Sequence, residues 1–550
     1  MYVDSFSLLW PGNEEDYRRK TRKLAPATAD NLNLDGLSKS IAGNMDIAPG
    51  IKDILCGLCF DEQVISYRQE VFNDIASSEG LLGSVEKIIE QLQYLRYLQN
   101  ESSVSEEINL WKFFERFKEL DGYVDCIKII AEALRGVELK SSGMKLLRDT
   151  AIKISEDEEF RNLSEMVKNL GVEVNEIKSI TLGINLDSSL DPVEAMLVSV
   201  NKTRFKDNSL FRDFLLAPSG VKLEDYGLAS KIHKLGFDKR HPSMYVLSKD
   251  IEGFIKPVAR DLHRLAKKSN RIRANFLVEL IPELTFYYKC ARMFEKLKDS
   301  GMPVCMPKVA EIDERICTIK GAYNINLALH MLAQGNNPSR EIVLNNISFD
   351  DNGRVFILTG PNRGGKTVYT EAVGLAQVLF QAGVFVPGET ASMSPVDNIF
   401  SHFPVDENQT VELGRLGEET KRLSEIFEEA TRYSLVLLNE SLASTSFIEG
   451  LYIAQDVVKS LKYLEARALF NTHMHELASY AETINAEVTG NSEVVSLVTG
   501  IVEGRRSYKV QPGKPLGKSY AKDIVEKYGM SFEQIIATID GRRLNYSPSH

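Results

Sequence analysis

At 550 residues the chain is long enough for several domains, because single cores rarely grow beyond about 250 to 300 residues. Its composition is ordinary for a soluble protein, and a net charge of −11 argues against a surface coated for nonspecific nucleic-acid binding. Neither an apolar run long enough to span a membrane nor a cysteine framework is present, since the six cysteines are few and scattered.

The first 40 or so residues read as an arm of mixed character containing Trp10 and Pro11. The opening lacks a basic segment followed by a long apolar core, so the expected compartment is the cytoplasm. Residues 41–330 read as a helical core, with Leu and Ile at helical spacing in LLGSVEKIIEQLQYLRYLQ and CIKIIAEALRGVELK. Within its first part, Cys56 and Cys59 form a CGLC pair with no second pair or nearby histidines to complete a zinc site, which points to buried thiols.

Near 181–273 the pattern changes. The run SITLGINL and the turns APSG and HPSM suggest a small inserted subdomain. From Asn201 to Arg273 there are 17 Lys and Arg against 8 Asp and Glu. The densest part carries Lys256, Arg260, Arg264, Lys267, Lys268, Arg271 and Arg273 three to four residues apart, one basic stripe if helical. Such a stripe suits phosphate contacts, with Arg264, Lys267, Lys268 and Arg271 as candidate DNA ligands; a solvated helix face is the competing reading.

Helices return in NFLVELIPELTFYYKCARMFEKLK, and IVLNNISFDDNGRVFIL then brings strands around a DNG turn that open an α/β domain over residues 331–515. The strand VFILT runs into GPNRGGKT, Gly360, Pro361, Asn362, Arg363, Gly364, Gly365, Lys366 and Thr367, followed by a helical pattern that stops near Gly383. Strand, glycine loop and helix in this order form a phosphate-binding loop: the glycines let backbone N–H groups face phosphate oxygens, and the helix N-terminus adds positive charge. ATP is the expected ligand, with Lys366 on the β and γ phosphates and the Thr367 hydroxyl on Mg2+.

A second apolar strand, SLVLLNES, ends at Asn439 and Glu440. The first of these positions normally holds an Asp near Mg2+; Asn439 keeps its shape without its charge. Glu440 is placed to orient or deprotonate an attacking water. A third strand, ARALFNTH, ends at His473, a candidate sensor of the γ-phosphate, while His473 and His475 lack the spacing of a helical zinc motif. Residues 516–550 read as a closing helical segment with Ser531 as a cap.

Taken together, GPNRGGKT, SLVLLNES with LASTS beyond it, and NTHMHELA resemble the ATPase domain of the MutS family, a branch of the ABC-type ATPases. CFDEQVISYRQEVFNDI is similar to the start of that family's helical core, and GRLGEETKRLSEIFEEATRYS and YKVQPGKPLGKSYAKDIVEKYGMSFEQI are similar to its signature and C-terminal segments. The resemblance implies an ABC-type α/β P-loop ATPase domain with a parallel sheet, preceded by a long all-α lever and core domain. It further implies a homodimer closed by residues 516–550, catalysis by Glu440 and His473, Mg2+ at Thr367 and Asn439, and a signature residue, Glu419, acting across the interface. Arg363 stands where a small or apolar residue is usual, Asn439 replaces Asp, and Gly414 to Leu416 do not carry the Ser-Thr-Phe signature.

The family's mismatch-reading N-terminal domain and one branch's nuclease-like domain have no counterpart in this sequence. The expectation is therefore an ATP-gated protein of DNA mismatch repair or recombination that binds branched or distorted duplex DNA. Two alternatives stay open: an assembly protein that hardly hydrolyses ATP, and an ATPase acting on RNA or ribosomes.

Overall fold

Buried apolar residues recur at every third or fourth position from Leu81 through Val85, Ile88, Leu92 and Leu95 to Leu98, so the helix Glu79–Ser102 has one continuous face to cover. The computed structural model, which describes residues 6–12, 14–102, 110–176, 178–188, 192–201, 203–204, 233–234, 275–404, 414–443, 446–502, 505–515 and 528–544, places that face against the helix Leu110–Leu134. By their contacts the residues divide into two units, Met1–Leu8 with Asn73–Tyr288 and Leu9–Phe72 with Lys289–His550.

The first unit is a stack of long helices. Gly122 permits close approach, for a methyl group there would lie 3.2 Å from Leu98 Cδ1. The helix Ser142–Glu156 packs against Leu110–Leu134, and its start is fixed by Ser141, whose hydroxyl accepts from Met144 N at 3.2 Å. Asp74 accepts from the Lys140 and Ser141 amides and the Ser141 hydroxyl, which accounts for a buried carboxylate. The strands Ser179–Leu186 and Pro192–Asn201 then form an antiparallel pair with two register shifts. A short third strand, His233–Lys234, pairs antiparallel with Pro192–Asn201, and most of the rest of the proposed insertion, including Arg264, Lys267, Lys268 and Arg271, lies outside the described residues.

The second unit is built on a six-stranded sheet. In chain order its strands are β1 (Val355–Thr359), β2 (Ile399–His402), β3 (Leu435–Asn439), β4 (Arg467–Asn471), β5 (Val494–Val502) and β6 (Arg505–Pro512), arranged β2-β3-β4-β1-β5-β6. The first five run parallel, and every residue of β1, β3 and β4 is buried, which is why they read as unbroken apolar runs. Only β6, antiparallel to β5, departs from the all-parallel expectation. On one face Val355, Ile357, Val436, Leu438 and Phe470 pack with Ala454, Val458 and Leu461 of the helix Phe447–Leu464. On the other lies the helix Lys366–Gln381, where a methyl group on Gly374 would come within 2.8 Å of Leu437 and 2.6 Å of Leu32.

Leu32 belongs to the stretch read above as an arm, and from Leu9 onward that stretch sits within this second unit. Arg68 ties it in: its guanidinium donates to Leu9 O and to Gln381 O, the end of the helix after the glycine loop, and lies 4.5 Å from the centre of the Trp10 ring. Residues 304–322, included above in the helical core, carry three strands, Val304–Cys305, Lys308–Val309 and Cys317–Ala322. Cys317–Ala322 pairs antiparallel with Thr390–Met393 and Asn345–Phe349 in a second, four-stranded sheet with Lys308–Val309. Burial alternates along Cys317, Thr318, Ile319 and Lys320 in the period of two that a sheet imposes. The Asp350–Gly353 turn therefore links strands of two different sheets.

All six cysteines are free, with Cys56 and Cys59 buried. Among the described residues no helix is long and apolar enough to cross a membrane.

Candidate functional site

The glycine loop begins where β1 ends. Gly360 has φ +150°, and any Cβ there would fall 2.0 Å from the Thr499 hydroxyl on β5, so packing as well as backbone angle demands glycine. Gly365, at φ +86°, turns the chain into the helix Lys366–Gln381. Arg363 is also left-handed, at φ +58°, and its side chain is exposed. Lys366 is buried, its ammonium donating to the Gly360 and Pro361 carbonyls at 3.2 and 3.3 Å. Burial pushes its pKa down, with Glu440 acting in the opposite sense.

Side chains from the ends of β3 and β4 and from the first turn of the helix Lys366–Gln381 meet beside this loop. The Thr367 hydroxyl donates to Asn439 Oδ1 at 3.1 Å, and Asn471 Nδ2 donates to the same oxygen. That second contact follows from sheet order, because Asn439 and Asn471 are register partners at the ends of β3 and β4. Glu440 follows at φ +51°, its amide held by Asn471 O at 2.8 Å. His473 Nε2 donates to Glu440 Oε1 at 2.8 Å. This hydrogen bond is the main cause that holds the Glu440 carboxyl below the usual range; burial opposes it, and the charges of His473 and Lys366 add to it.

Thr367 and Asn439 thus offer two hard oxygen donors, the chemistry Mg2+ takes, and an ion that keeps several waters needs few protein ligands. The residues fit such an ion. A pocket of about 670 Å3 extends from Gly364 to Thr367 toward Ile342, Val343 and Met331, with Tyr508 at its side. Tyr508 is left-handed at φ +53°, and Asn345 brackets it, donating to Tyr508 O at 3.0 Å and accepting from Val510 N at 2.8 Å.

Sequence reading passed over Asn345, Asn471, Thr499 and Tyr508, because only strand order brings them to the loop. It also passed over His402 at the end of β2. His402 Nδ1 lies 2.7 Å from Ser441 Oγ, while the Ser441 hydroxyl donates to His402 O, an arrangement that places the ring proton on Nδ1. Burial lowers the His402 pKa. Glu419, on the helix Gly414–Glu429, points to its own chain: its Oε2 accepts from Leu442 N at 2.6 Å. Among the described residues no group of three or more His, Cys, Asp and Glu side chains could hold a metal ion.

A parallel sheet with a glycine loop after one strand and polar residues ending its neighbours defines an α/β protein of the P-loop type. Residues 356–539 match the model of MutS domain V, and residues 60–300 match that of the MutS2 N-terminal domain. The chain belongs to the MutS family. Among curated relatives, the DNA mismatch repair protein MutS of Prochlorococcus marinus strain AS9601 is 34% identical over 198 residues, 34% of this chain and 21% of that protein. That of Chlorobium chlorochromatii is 35% identical over 179 residues, 32% and 20% respectively. That of Exiguobacterium sp. strain AT1b is 24% identical over 378 residues, 67% of this chain. The matched stretches span 21%, 20% and 42% of these three relatives' lengths.

Proposed function

We propose that the chain is an ATPase of the MutS type that couples ATP binding and hydrolysis to distorted or branched duplex DNA and works as a homodimer. The observation that carries this reading is the meeting of Thr367, Asn439, Glu440 and His473 beside the glycine loop. Relatives named for DNA mismatch repair support the DNA part.

In this reading the Lys366 ammonium exchanges its two loop carbonyls for phosphate oxygens, which lets the loop open toward the ligand. Mg2+, held by Thr367 and Asn439, neutralises phosphate charge when bound. Glu440, kept ionised by His473, orients a water and takes its proton. The apolar wall formed by Ile342, Val343 and Met331, with the Tyr508 ring, suits a nucleotide base. Phe447, Ile448 and Tyr452 are 50%, 80% and 69% exposed on the helix Phe447–Leu464, and Phe532, Ile536 and Ile539 are exposed on the helix Phe532–Leu544; such apolar surface supports pairing of two chains.

Steady-state ATP turnover tests the reading, measured alone and with homoduplex, mismatched duplex, a four-way junction and RNA, with Lys366→Ala as the blank. Lys366-dependent turnover that one DNA changes supports it. Turnover that responds to RNA alone moves the ligand class to RNA. A second reading, an assembly protein that binds ATP with little hydrolysis, is favoured by the neutral Asn439 where a carboxylate is usual. It requires ATP-dependent dimerisation without turnover.

A further inference from the structure

The loop after Glu440 is held in an unusual backbone conformation by a residue of its own chain. Glu440 and Leu442 both adopt left-handed angles, φ +51° and +65°, which non-glycine residues reach only at a cost and keep only when their surroundings enforce it. Three contacts enforce it here. The Glu440 amide is bonded to Asn471 O; Ser441, between the two, is bonded to His402; and the Leu442 amide is bonded to the Glu419 carboxylate at 2.6 Å. The Leu442 side chain is buried in the same core as Leu423 and Ile426, which lie on the helix that carries Glu419. Backbone and side chain of Leu442 are thus both secured to that helix, and the turn that aims Glu440 is closed from outside the strand.

We propose that Glu419 is a positioning residue for Glu440 within its own subunit: by accepting the Leu442 N–H it fixes the left-handed turn that presents the Glu440 carboxylate. This rests on the ATPase reading and deepens it. It also gives the helix Gly414–Glu429 a direct hold on the site of its own chain, in addition to any contact it makes with a second copy. Charge matters to this hold, because a carboxylate accepts an N–H more strongly than a neutral acceptor does. Gln, which keeps an oxygen at the same reach, should replace Glu419 in part, and Ala should not.

The full chain and its Glu419→Ala and Glu419→Gln variants are compared by amide hydrogen exchange without nucleotide and by ATP turnover. In Glu419→Ala the Leu442 amide should exchange faster and kcat should fall about tenfold, the order expected for losing a hydrogen bond to a charged group, while ATP affinity is kept. Glu419→Gln should recover most of kcat. Adding Glu419→Ala to Glu440→Gln should cause no further loss, since both act through one group. Mixing Glu419→Ala with Lys366→Ala chains separates the two subunits' roles. A Glu419 acting across an interface would restore turnover in the mixed pair, whereas one acting within its chain would not. Unchanged kcat in Glu419→Ala, an equal loss of affinity and kcat, or recovery on mixing overturns the proposal and leaves the ATPase reading standing. Absence of any Lys366-dependent turnover in the unaltered chain overturns that reading, and this proposal with it.

Discussion

His473 Nε2 donates to Glu440 Oε1 at 2.8 Å, joining the ends of β3 and β4 by a hydrogen bond that is only partly shielded from water. The contact holds the Glu440 pKa below the usual carboxylate range. A carboxylate depressed in this way contributes stability that is fully present above its unfolded value, about 4.3, and lost as pH falls through the lower folded value. The melting temperatures of the unaltered chain and of Glu440→Gln should therefore differ most above the unfolded value of about 4.3 and converge as the pH falls from there through the lower folded value. His473→Ala should remove most of the same pH-dependent difference. A gap that stays constant through the acid range would mean that the contact does not set the Glu440 ionisation.

Asn439 Oδ1 accepts from both Thr367 and Asn471, so its surroundings are donors that suit a carboxylate at least as well. Asn439→Asp should fold normally, reach half-maximal ATP turnover at lower Mg2+, and turn over faster if charge at the metal limits the rate. An unchanged Mg2+ requirement would show that Thr367 and Glu440 suffice.

Lys366 carries a buried ammonium whose described partners are two carbonyl oxygens, and burial lowers its pKa. Desolvation of such a group is only partly offset, so the nucleotide-free site is strained in favour of its ligand. Lys366→Met should raise the melting temperature without nucleotide and abolish the further rise that ATP produces by binding the folded state. A lower melting temperature without nucleotide would mean that the two carbonyl contacts outweigh the desolvation.

How far these features could be read from sequence depended on how local they are. The glycine loop, β1 and the helix Lys366–Gln381 are contiguous, so motif and periodicity sufficed to locate them. Asn439 and His473 were legible as the polar ends of apolar strands. The pairing of Asn439 with Asn471 was not, because it depends on β3 and β4 being neighbours in register. Thr499 and Tyr508 reach the loop only because β5 lies beside β1 and β6 beside β5. Glu419 carried a family expectation of action across an interface, and its bond to Leu442 arises from packing of a helix on a loop, which no local pattern encodes. The strands at 304–322 were absorbed into a helical reading because two-residue strands such as Val304–Cys305 and Lys308–Val309 are too short to show a period.

Arg467 gives the most demanding test of the packing. It is fully buried in β4, with Nη1 donating to Ile316 O and Ser394 O at 3.1 and 3.0 Å and Nη2 donating to Pro395 O at 2.7 Å. Burial pulls its pKa down to about 10, which leaves the guanidinium charged at neutral pH. The carbonyls it satisfies lie at the ends of Cys317–Ala322 and Thr390–Met393, so one side chain fastens the four-stranded sheet to the central one. Arg467→Met fills similar volume but strands those carbonyls, and should cost about 3 kcal/mol or more. Arg467→Lys keeps the charge on a single nitrogen that cannot span the same acceptors, and should recover only part of this. Denaturant unfolding of the three proteins checks the order. A Met variant as stable as the unaltered chain would mean that water or a shifted loop satisfies the carbonyls, and that the two sheets are held together by their apolar contacts alone.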